Sequence, residues 1–452
     1  MEAKLAPGTI LIVLAVLALV LAGCTPLRPE KDKKDVLNIE SSGCEHTIGP
    51  KVLKANGFEN FAAVAPGDTV CIEARVRPAL KLFNFQGEPG NPIVFVNSGG
   101  PVIIQGRSDD YAGITIQNSE HIRLTGTGVS EKCGASYPPD EQQCGYVIIG
   151  SGRGVAGTDR TGHIEIDHVE VQGSHNVGIK VKSDEEEGVT RNDWVQYHTY
   201  LHHNYLHNIG TEGFYIGSSY YDEGLDPVLE GVDISYNLIR RTGWDGLQVG
   251  SAVKDCVIHH NRIIEASQAN NPSQQSGIMN NRGSVCDIYN NYIVDSVGRG
   301  IYVQGNGGNQ IYNNVIIRPG RLESDKGDGI VVTRGSNKGQ NVFIGNNTII
   351  EPKRSGIRFR NDQGDENLIQ NNIIVAPGTL ARDGGVAYID IRGLTNVIAS
   401  GNLLAPAVTQ VRFSNAEAGD YSLLSASPTV NIGADLTGEE TTFPNFEAAI
   451  KQ

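Results

Sequence analysis

The sequence lacks several residues and motifs that define common protein classes. Only two methionines and two tryptophans occur among 452 residues, and no long segment has the apolar spacing of an amphipathic helix, which disfavours a mainly helical fold. Gly-x-Ser-x-Gly, P-loop and zincin motifs are absent, which disfavours nucleotide and peptidase chemistry. No Cys-x-x-Cys pair is present, so we expect no structural zinc site.

Basic residues are also in the minority. The chain has 37 lysines and arginines against 51 acidic residues, which gives a net charge of -14. Because proteins bind nucleic acids through basic patches that neutralise phosphates, we expect no nucleic-acid partner. A local basic groove is still compatible with this balance.

The N-terminus contains an apolar run, residues 10–21, which is shorter than the roughly 20 residues of a membrane-spanning helix. The run ends in Leu21-Ala22-Gly23-Cys24, which resembles the lipoprotein box of bacterial signal peptides. This resemblance implies a signal peptide over residues 1–23 and a lipidated Cys24 that begins a flexible tether, residues 24–45. The alternative is an uncleaved membrane anchor. We expect an exported monomer, attached through its lipid to the membrane of a bacterial cell envelope.

Six cysteines remain besides Cys24, an even number that suits an oxidising compartment. Sequence alone allows fifteen pairings of six cysteines. Cys133 and Cys144 lie in one polar insertion and are expected to close it. Cys44 and Cys71 are expected to lock the N-terminal end.

From about residue 200 the chain repeats one pattern: an apolar strand, an asparagine, a second short strand, and a glycine followed by Phe, Leu or Ile. The asparagine and the glycine are often nine positions apart, as from Asn204 to Gly213. Longer spacings indicate loops inserted at one corner. The asparagines are Asn204, Asn237, Asn261, Asn291, Asn314, Asn347, Asn372 and Asn402, and the glycines are Gly213, Gly246, Gly277, Gly300, Gly329 and Gly356.

A repeat of about 23 residues with short alternating strands and no helix indicates the stacked coils of a β-helix. A leucine-rich repeat would need a regular leucine pattern, and a sandwich would not keep these ladders of Asn and Gly. We therefore predict an all-β, single-stranded parallel β-helix over residues 46–435, with a tail over residues 436–452. Residues 420–434 are expected to close its end.

Two details support this register. Cys256 and Cys286 each lie five positions before their asparagine, so they are predicted to stack in adjacent coils and form the third disulfide. The triplet His-His-Asn also recurs, at residues 202–204 and 259–261. Its recurrence favours corner packing of these histidines, with a metal or catalytic role as the alternative.

Several segments resemble the pectate-lyase-like superfamily of right-handed parallel β-helix proteins. They are PGDTV (66–70), GEPGNPIVFV with VIIQG (87–106), the Asn and Gly ladders, and DYSLLSASPTVNIG (420–433). The resemblance covers roughly residues 60–435 and implies the right-handed fold. It leaves the activity open, because the superfamily includes lyases, epimerases, hydrolases and non-catalytic adhesins.

Alternation within the strands that follow the glycines predicts one outward face, rich in cations and tyrosines. Tyrosine stacks on sugar rings, and Lys or Arg pairs with carboxylate or sulfate, so this face is predicted to bind an extended, anionic polysaccharide, uronate-containing or sulfated. The alternative is an ordinary solvated strand face. Its predicted catalytic residues are Lys180, Arg282, Tyr302 and Arg358, and its predicted substrate-binding residues are Tyr215, Gln248, Asn281, Gln304, Arg334 and Arg360.

Such a face suits β-elimination from a uronate, which requires neutralising the carboxylate, removing the proton beside it and protonating the leaving oxygen. Lysine and arginine are base or neutralising candidates, and tyrosine is a base or acid candidate. C5 epimerisation shares the first half of this reaction, and the sequence does not separate the two. A non-catalytic glycan-binding or adhesion protein is the main alternative.

Carboxylates precede several of the glycines. Glu212 and Asp245, with Asp222 in a following loop, form a predicted Ca²⁺ site, since Ca²⁺ prefers oxygen ligands. The alternative is turn formation by Asp-Gly. Glu212 and Asp245 would also suit hydrolysis by paired carboxylates, but the Gly-His-Gly and Arg-x-Lys elements of polygalacturonases are missing.

Overall fold

The computed structural model describes residues 43–424, apart from residues 129, 185–187, 306, 323–325, 336–337, 379–386 and 417–419. The predicted signal peptide, Cys24, most of the tether and the tail lie outside the described residues. Those assignments therefore stay predictions.

The described chain coils through three parallel sheets, which we call I, II and III in the order in which each coil visits them. Sheet I has thirteen strands: His46–Ile48, Thr69–Glu73, Ile93–Ser98, Glu120–Thr125, Gly162–Asp167, Gln196–His202, Leu229–Ser235, Ala252–His259, Cys286–Tyr289, Gln310–Tyr312, Phe343–Gly345, Asn367–Gln370 and Val397–Ser400.

Sheets II and III have twelve strands each. Those of sheet II are Val76–Arg77, Val102–Gln105, Tyr146–Ile149, Val169–Gln172, Tyr205–Ile209, Leu238–Thr242, Arg262–Ile264, Tyr292–Val294, Val315–Ile317, Thr348–Ile350, Ile373–Val375 and Leu403–Ala405. Those of sheet III are Lys54–Asn56, Leu80–Phe83, Ile114–Gln117, Val155–Thr158, Ile179–Val181, Phe214–Ile216, Leu247–Val249, Ser276–Asn280, Arg299–Val303, Ile330–Val332, Ile357–Phe359 and Ile389–Asp390.

The remaining described elements are short. Phe413–Asn415 and Asp420–Leu423 form an antiparallel pair at the C-terminal end, so the first part of the predicted closing segment is a strand. Single 3-10 turns lie at Pro139–Glu141, Tyr221–Glu223 and Val408–Gln410. No helix of the described chain is long and apolar enough to cross a bilayer.

The core is a column of aliphatic side chains inside the coil. Within each strand, alternate residues point inward, and equivalent residues of successive coils stack at the spacing of about 4.8 Å between paired strands. Phe214 and Ile216 thus pack on Leu247 and Val249, and all four are fully buried. The right-handed parallel β-helix predicted from the sequence is confirmed.

The asparagines form a buried ladder at the corner between sheets I and II. The Asn204 Nδ2 and backbone N–H both donate, at 3.0 Å, to Oδ1 of Asn237, and Oδ1 of Asn204 accepts a 3.1 Å hydrogen bond from the Val169 N–H. The same two bonds continue from coil to coil as far as Asn402. The residue before each asparagine is left-handed, with φ of 53° at His203 and 54° at His260, which gives these histidines the corner position expected for them.

The glycine ladder marks the entry to sheet III. A Cβ atom on Gly213 would lie 2.4 Å from the carbonyl oxygen of Gly246, and one on Gly300 would lie 2.6 Å from that of Gly329. These distances are too short for any side chain. Successive coils therefore approach so closely at this corner that glycine is required.

All three predicted disulfides are present. The Cα–Cα distances are 5.6 Å for Cys44–Cys71, 5.1 Å for Cys133–Cys144 and 4.5 Å for Cys256–Cys286. Cys256 and Cys286 are direct partners on adjacent strands of sheet I, as the repeat predicted.

Candidate functional site

The predicted face is the outer surface of sheet III. Strand pairing places Lys180 opposite Tyr215, Tyr215 opposite Gln248, and Gln248 opposite Met279. The column continues through Tyr302 and Val331 to Arg358. The register read from the glycines is therefore the register of the structure.

The face is less open than a solvated strand surface. Lys180, Gln248, Met279 and Asn281 are all less than a tenth exposed. Gln304 covers Met279, with Nε2 lying 3.4 Å from the Met279 sulfur. Only parts of the face are therefore accessible to a polymer.

The predicted cations of this face each contact a carboxylate. Their paired atoms lie 2.6–3.3 Å apart: Lys180–Asp184 3.2 Å, Arg282–Asp222 2.7 Å, Arg334–Asp362 3.1 Å, Arg358–Asp328 3.3 Å and Arg360–Asp390 2.6 Å. Three of these carboxylates lie in segments that follow sheet III strands: Asp184, Asp222 and Asp362. The repeat pattern in the sequence does not predict where those segments lie.

The four predicted catalytic residues are not brought together. Lys180 and Tyr302 are four coils apart along the paired column, a distance of roughly 19 Å. Arg358 lies two coils beyond Tyr302, and Arg282 is held by Asp222. Tyr302 instead contacts Arg299, whose guanidinium carbon is 4.0 Å from the ring centroid.

A concentration of polar groups on the outer face of sheet III surrounds Lys180 and Lys182. Their ammonium groups share the Asp184 carboxylate, at 3.2 and 2.5 Å, and Lys180 Nζ also lies 3.4 Å from the Tyr111 hydroxyl. Lys182 Nζ is 5.1 Å from the ring centroid of Tyr215. Burial lowers the pKa of Lys182, but Tyr215 and Asp184 outweigh burial, so the net pKa is raised and this ammonium group stays charged.

A hydrogen-bonded chain of three residues adjoins these lysines. The Tyr215 hydroxyl lies 3.0 Å from Ser219 Oγ, which accepts a hydrogen bond of 2.8 Å from Gln248 Nε2. Oε1 of Gln248 is buried and has no hydrogen-bond partner among the described residues. Lysine, tyrosine and amide groups thus meet over three coils, and Lys182 and Ser219 join the residues predicted from sequence.

The predicted calcium ligands separate into two places. Asp222 is about half exposed and pairs with Arg282, whereas Glu212 and Asp245 are buried at the corner before sheet III. Burial raises the pKa of Glu212, and burial together with the charge of Glu212 raises the pKa of Asp245 well above its ordinary value. The set is therefore not assembled on the outer face.

Sequence reasoning missed an ionic cluster on the outer face of sheet I. Glu165, Asp167 and His202 bring three ligand atoms within 4.8 Å of one another, the single such group among the described residues. Arg123 Nε already lies 2.8 Å from Asp167 and 3.2 Å from Glu165. Because a guanidinium occupies the space between the carboxylates, the group fits an ion-pair network better than a metal.

Hydrogen bonds fix the charges in this cluster. Burial lowers the pKa of His202, but its 3.1 Å contact with Glu165 outweighs burial and leaves the pKa raised. The Nδ1 atoms of His202 and His203 are 2.9 Å apart, and burial with the charge of His202 lowers the pKa of His203 to about 3. His202 therefore donates to Glu165 and to a neutral His203. Asp167 and His202 are partners on adjacent strands of sheet I, but Val169 stands where the next coil has Asn204, so the asparagine spacing did not reveal this register.

Comparisons with known proteins add little about activity. No protein-family model and no curated protein matches the chain. Among solved structures, the PL6 family alginate lyase AlyGC is 15% identical with a TM-score of 0.49, over 87% of this chain and 59% of that protein's length.

Two further matches are similar. The PL6 family polysaccharide lyase Pedsa3628 from Pseudopedobacter saltans is 14% identical over 86% of this chain and 99% of its own, with a TM-score of 0.46. Pectate lyase Pel9A is 13% identical over 88% and 95%, with a TM-score of 0.41. With so few identical residues and such low scores, these likenesses carry nothing about the substrate of this chain.

Proposed function

We propose that this protein acts on an extended, uronate-containing polysaccharide at the outer face of sheet III, around Lys180, Lys182 and Tyr215. The supporting observation is that two nearly buried ammonium groups contact one carboxylate, Asp184, beside a tyrosine. The substrate carboxylate is proposed to approach these two ammonium groups. β-Elimination is the reaction that such a site favours.

Each step of that reaction is assigned to one residue of this site. Lys182, which stays charged, neutralises the substrate carboxylate and so acidifies the neighbouring C5–H bond. Tyr215 as phenolate takes the C5 proton, the electrons form the C4=C5 bond, and the C4–O4 bond breaks. Lys180 supplies the proton that O4 needs.

Ser219 supports the base. Its oxygen accepts a hydrogen bond from Gln248, so its own proton is available to the phenolate oxygen of Tyr215. The ammonium group of Lys182 lies 5.1 Å from the centre of the Tyr215 ring. C5 epimerisation would use the same first step and return a proton to the opposite face of C5.

The test measures ultraviolet absorbance from the new double bond, with alginate, pectate and glycosaminoglycans, with and without Ca²⁺. Tyr215→Phe is expected to lower kcat by about 10²–10⁴-fold. Lys182→Met is expected to raise KM and lower kcat, with partial rescue in Lys182→Arg. Lys254→Met, which removes an exposed lysine of sheet I paired with Glu230, is the matched control and keeps full activity.

Deuterium uptake from heavy water without chain cleavage would identify an epimerase. Wild-type rates in both Tyr215→Phe and Lys182→Met would refute this choice of site.

A second candidate function is non-catalytic glycan binding. The observation that favours it is that polar side chains recur along the outer face of sheet III over several coils, from Lys180 to Arg358, while the predicted catalytic residues are not brought together. Retardation in affinity electrophoresis, with neither double-bond formation nor deuterium uptake, would select this alternative.

The proposal includes attachment to the cell envelope through a lipid on Cys24. The basis is the Leu-Ala-Gly-Cys sequence after a short apolar run. Cys24→Ser is expected to move the protein from the membrane fraction to the soluble fraction of the producing bacterium. Unchanged membrane association would contradict lipidation at this residue.

A further inference from the structure

The outer face of sheet III continues past the proposed reacting site into the N-terminal coils. Strand pairing places Lys180 opposite Ala156, Ala156 opposite Thr115, and Thr115 opposite Lys81. Lys81 is therefore three coils from Lys180, a distance of roughly 14 Å at the spacing of paired strands. None of the binding residues predicted from the sequence lies on this N-terminal half of the face.

The cations of the N-terminal half lack the carboxylate partners found elsewhere on sheet III. Within the part of the chain that the structure describes, four of them form no ion pair: Lys54, Lys81, Arg153 and Arg160. Lys54 and Lys81 are partners on adjacent strands, and both are exposed. The predicted cations from Lys180 onward, by contrast, each contact an aspartate. Unpaired positive charge therefore lies on the N-terminal side of the reacting site.

Described carboxylates near these cations have partners of their own. Asp109 and Asp110, in the loop that precedes sheet III in their coil, lie 3.2 and 3.6 Å from Arg107. Asp159 accepts a hydrogen bond from the side chain of Gln117. In a chain whose net charge is -14, this surface thus keeps positive charge that can attract a polyanion.

Aromatic rings lie beside the unpaired cations. Tyr111 is 41% exposed, its hydroxyl is 3.4 Å from Lys180 Nζ, and the guanidinium carbon of Arg153 is 4.5 Å from its ring centroid. At the opposite edge of the face, Arg160 and Phe83 line an open pocket of about 450 Å³, which is within the size range of ligand sites. An aromatic ring beside a guanidinium matches a uronate, which offers an apolar ring face and a carboxylate.

The pocket is continuous with the proposed reacting site. The backbone N–H of Arg160 donates to Ser183 Oγ at 2.9 Å, and Ser183 directly follows Lys182 in the chain. Two further residues of the pocket, Phe83 and Gln117, are partners on adjacent strands of sheet III. A polymer that leaves Lys182 toward the N-terminal coils therefore enters this pocket.

We propose that the N-terminal half of the face holds the uronate residues next to the reacting sugar, so that the polymer extends from Lys180 toward Lys81. Tyr111 packs on a sugar ring, and Arg153 binds the carboxylate of the sugar beside the reacting one. Arg160 and Lys81 bind the carboxylates of sugars farther along. We call Arg153, Arg160 and Lys81 the flanking cations.

Charge determines the direction of the polymer. Toward the C-terminal coils a polyanion would have to displace the aspartates that already contact Arg334 and Arg360. Toward the N-terminal coils it meets cations that have no such partner among the described residues, so no ion pair has to be broken. This inference rests on the proposed function, because its ligand is the same uronate polymer.

The experiment measures binding separately from cleavage. Saturated oligomers of mannuronate, guluronate and galacturonate, from the disaccharide upward, are titrated by calorimetry into the full chain carrying Tyr215→Phe, which does not cleave them. We expect affinity to rise with oligomer length. Adding Arg160→Gln or Lys81→Met should weaken the binding of long oligomers by about tenfold and leave that of the disaccharide unchanged. Arg153→Gln should weaken the binding of shorter oligomers than Lys81→Met does, because Arg153 lies nearer to Lys180.

Arg75→Gln is the matched control. Arg75 is exposed in the same N-terminal coils and has no ion pair among the described residues, but it lies beside sheet II, where its carbonyl accepts from the Ile103 N–H. It should bind all oligomers as the parent does. Oligomers whose carboxyl groups have been reduced to alcohols should bind the parent and the variants of the flanking cations equally. If Arg153→Gln fails to fold, Arg160→Gln and Lys81→Met decide the question.

The two proposals fail in different ways. If the wild type cleaves a uronate polymer and the parent binds its oligomers, but the flanking cations can be replaced without loss, the polymer does not lie on this surface and only the present inference is overturned. Equal losses for the disaccharide and the long oligomers, or an equal loss in Arg75→Gln, would also overturn it. If no uronate is cleaved or bound, both proposals are overturned.

Discussion

One prediction about stability concerns Asn291, a residue in the middle of the asparagine ladder. Its Oδ1 accepts from both the backbone N–H and Nδ2 of Asn261, at 3.1 and 3.0 Å. Its Nδ2 donates to the carbonyl of Ile258 at 2.8 Å and to Oδ1 of Asn314 at 3.0 Å. Replacing Asn291 by alanine removes all of these bonds in a fully buried corner.

The expected loss of stability follows from the polar groups that would lose their hydrogen-bond partners. The N–H of Asn261 loses its acceptor, and a buried unsatisfied backbone group costs about 1–3 kcal/mol. The Nδ2 bonds that Asn291 itself donates contribute roughly 1 kcal/mol each. We therefore expect Asn291→Ala to lower the free energy of unfolding by about 3–5 kcal/mol.

Asn402→Ala is the matched comparison at the open end of the same ladder. Asn402 accepts the same two bonds from Asn372, both at 2.9 Å, but it is half-buried, so water can replace them. We expect Asn402→Ala to lower the free energy of unfolding by about 1 kcal/mol. The assay is denaturant unfolding combined with amide hydrogen exchange at Asn261, since a solenoid need not unfold in one step. Equal losses for the two variants, or less than about 1 kcal/mol for Asn291→Ala, would refute this reasoning.

Three other predictions concern stability. Replacing Cys256 and Cys286 by serine opens a loop of 30 residues and should cost about 3–4 kcal/mol in denaturant unfolding, whereas no loss would show that the bond is dispensable. Gly277→Ala places a methyl group 2.5 Å from Ile293 and 2.8 Å from the next glycine carbonyl, and should lower the unfolding free energy by about 1–3 kcal/mol. His202, whose pKa is raised in the folded state, contributes stability that is fully present below about pH 6.5 and lost as pH rises through its folded pKa. His202→Gln should therefore destabilise the protein more at low than at high pH in thermal unfolding, and the reverse order would contradict the assigned charge.

The fold could be predicted because its determinants recur at the same position in each coil. Asn291 and Gly300 have the same local surroundings as their counterparts one coil away. The spacing of nine positions between them in the sequence therefore predicts the structure of the corresponding corners. Cys256 and Cys286 could be paired for the same reason.

The site was less predictable because its contacts come from outside the repeat. Asp184 and Asp222 lie in segments of irregular length after sheet III strands, and the repeat says nothing about which cation they contact. The His202 cluster was missed for a related reason. Its partners Glu165 and Arg123 belong to coils that precede the regular asparagine spacing, so their register with His202 was not visible.

The distribution of charge on sheet III bears on the choice between catalysis and binding. A binding surface for a polyanion gains from cations that repeat along the polymer, yet Arg334 and Arg360 are each neutralised by their own aspartate. Two ammonium groups on one carboxylate occur at Lys180 and Lys182, at a single point of the described face. β-Elimination needs one carboxylate neutralised at one place beside one base. The concentration of charge at a single coil is therefore better suited to a reacting sugar than to uniform adhesion along a chain.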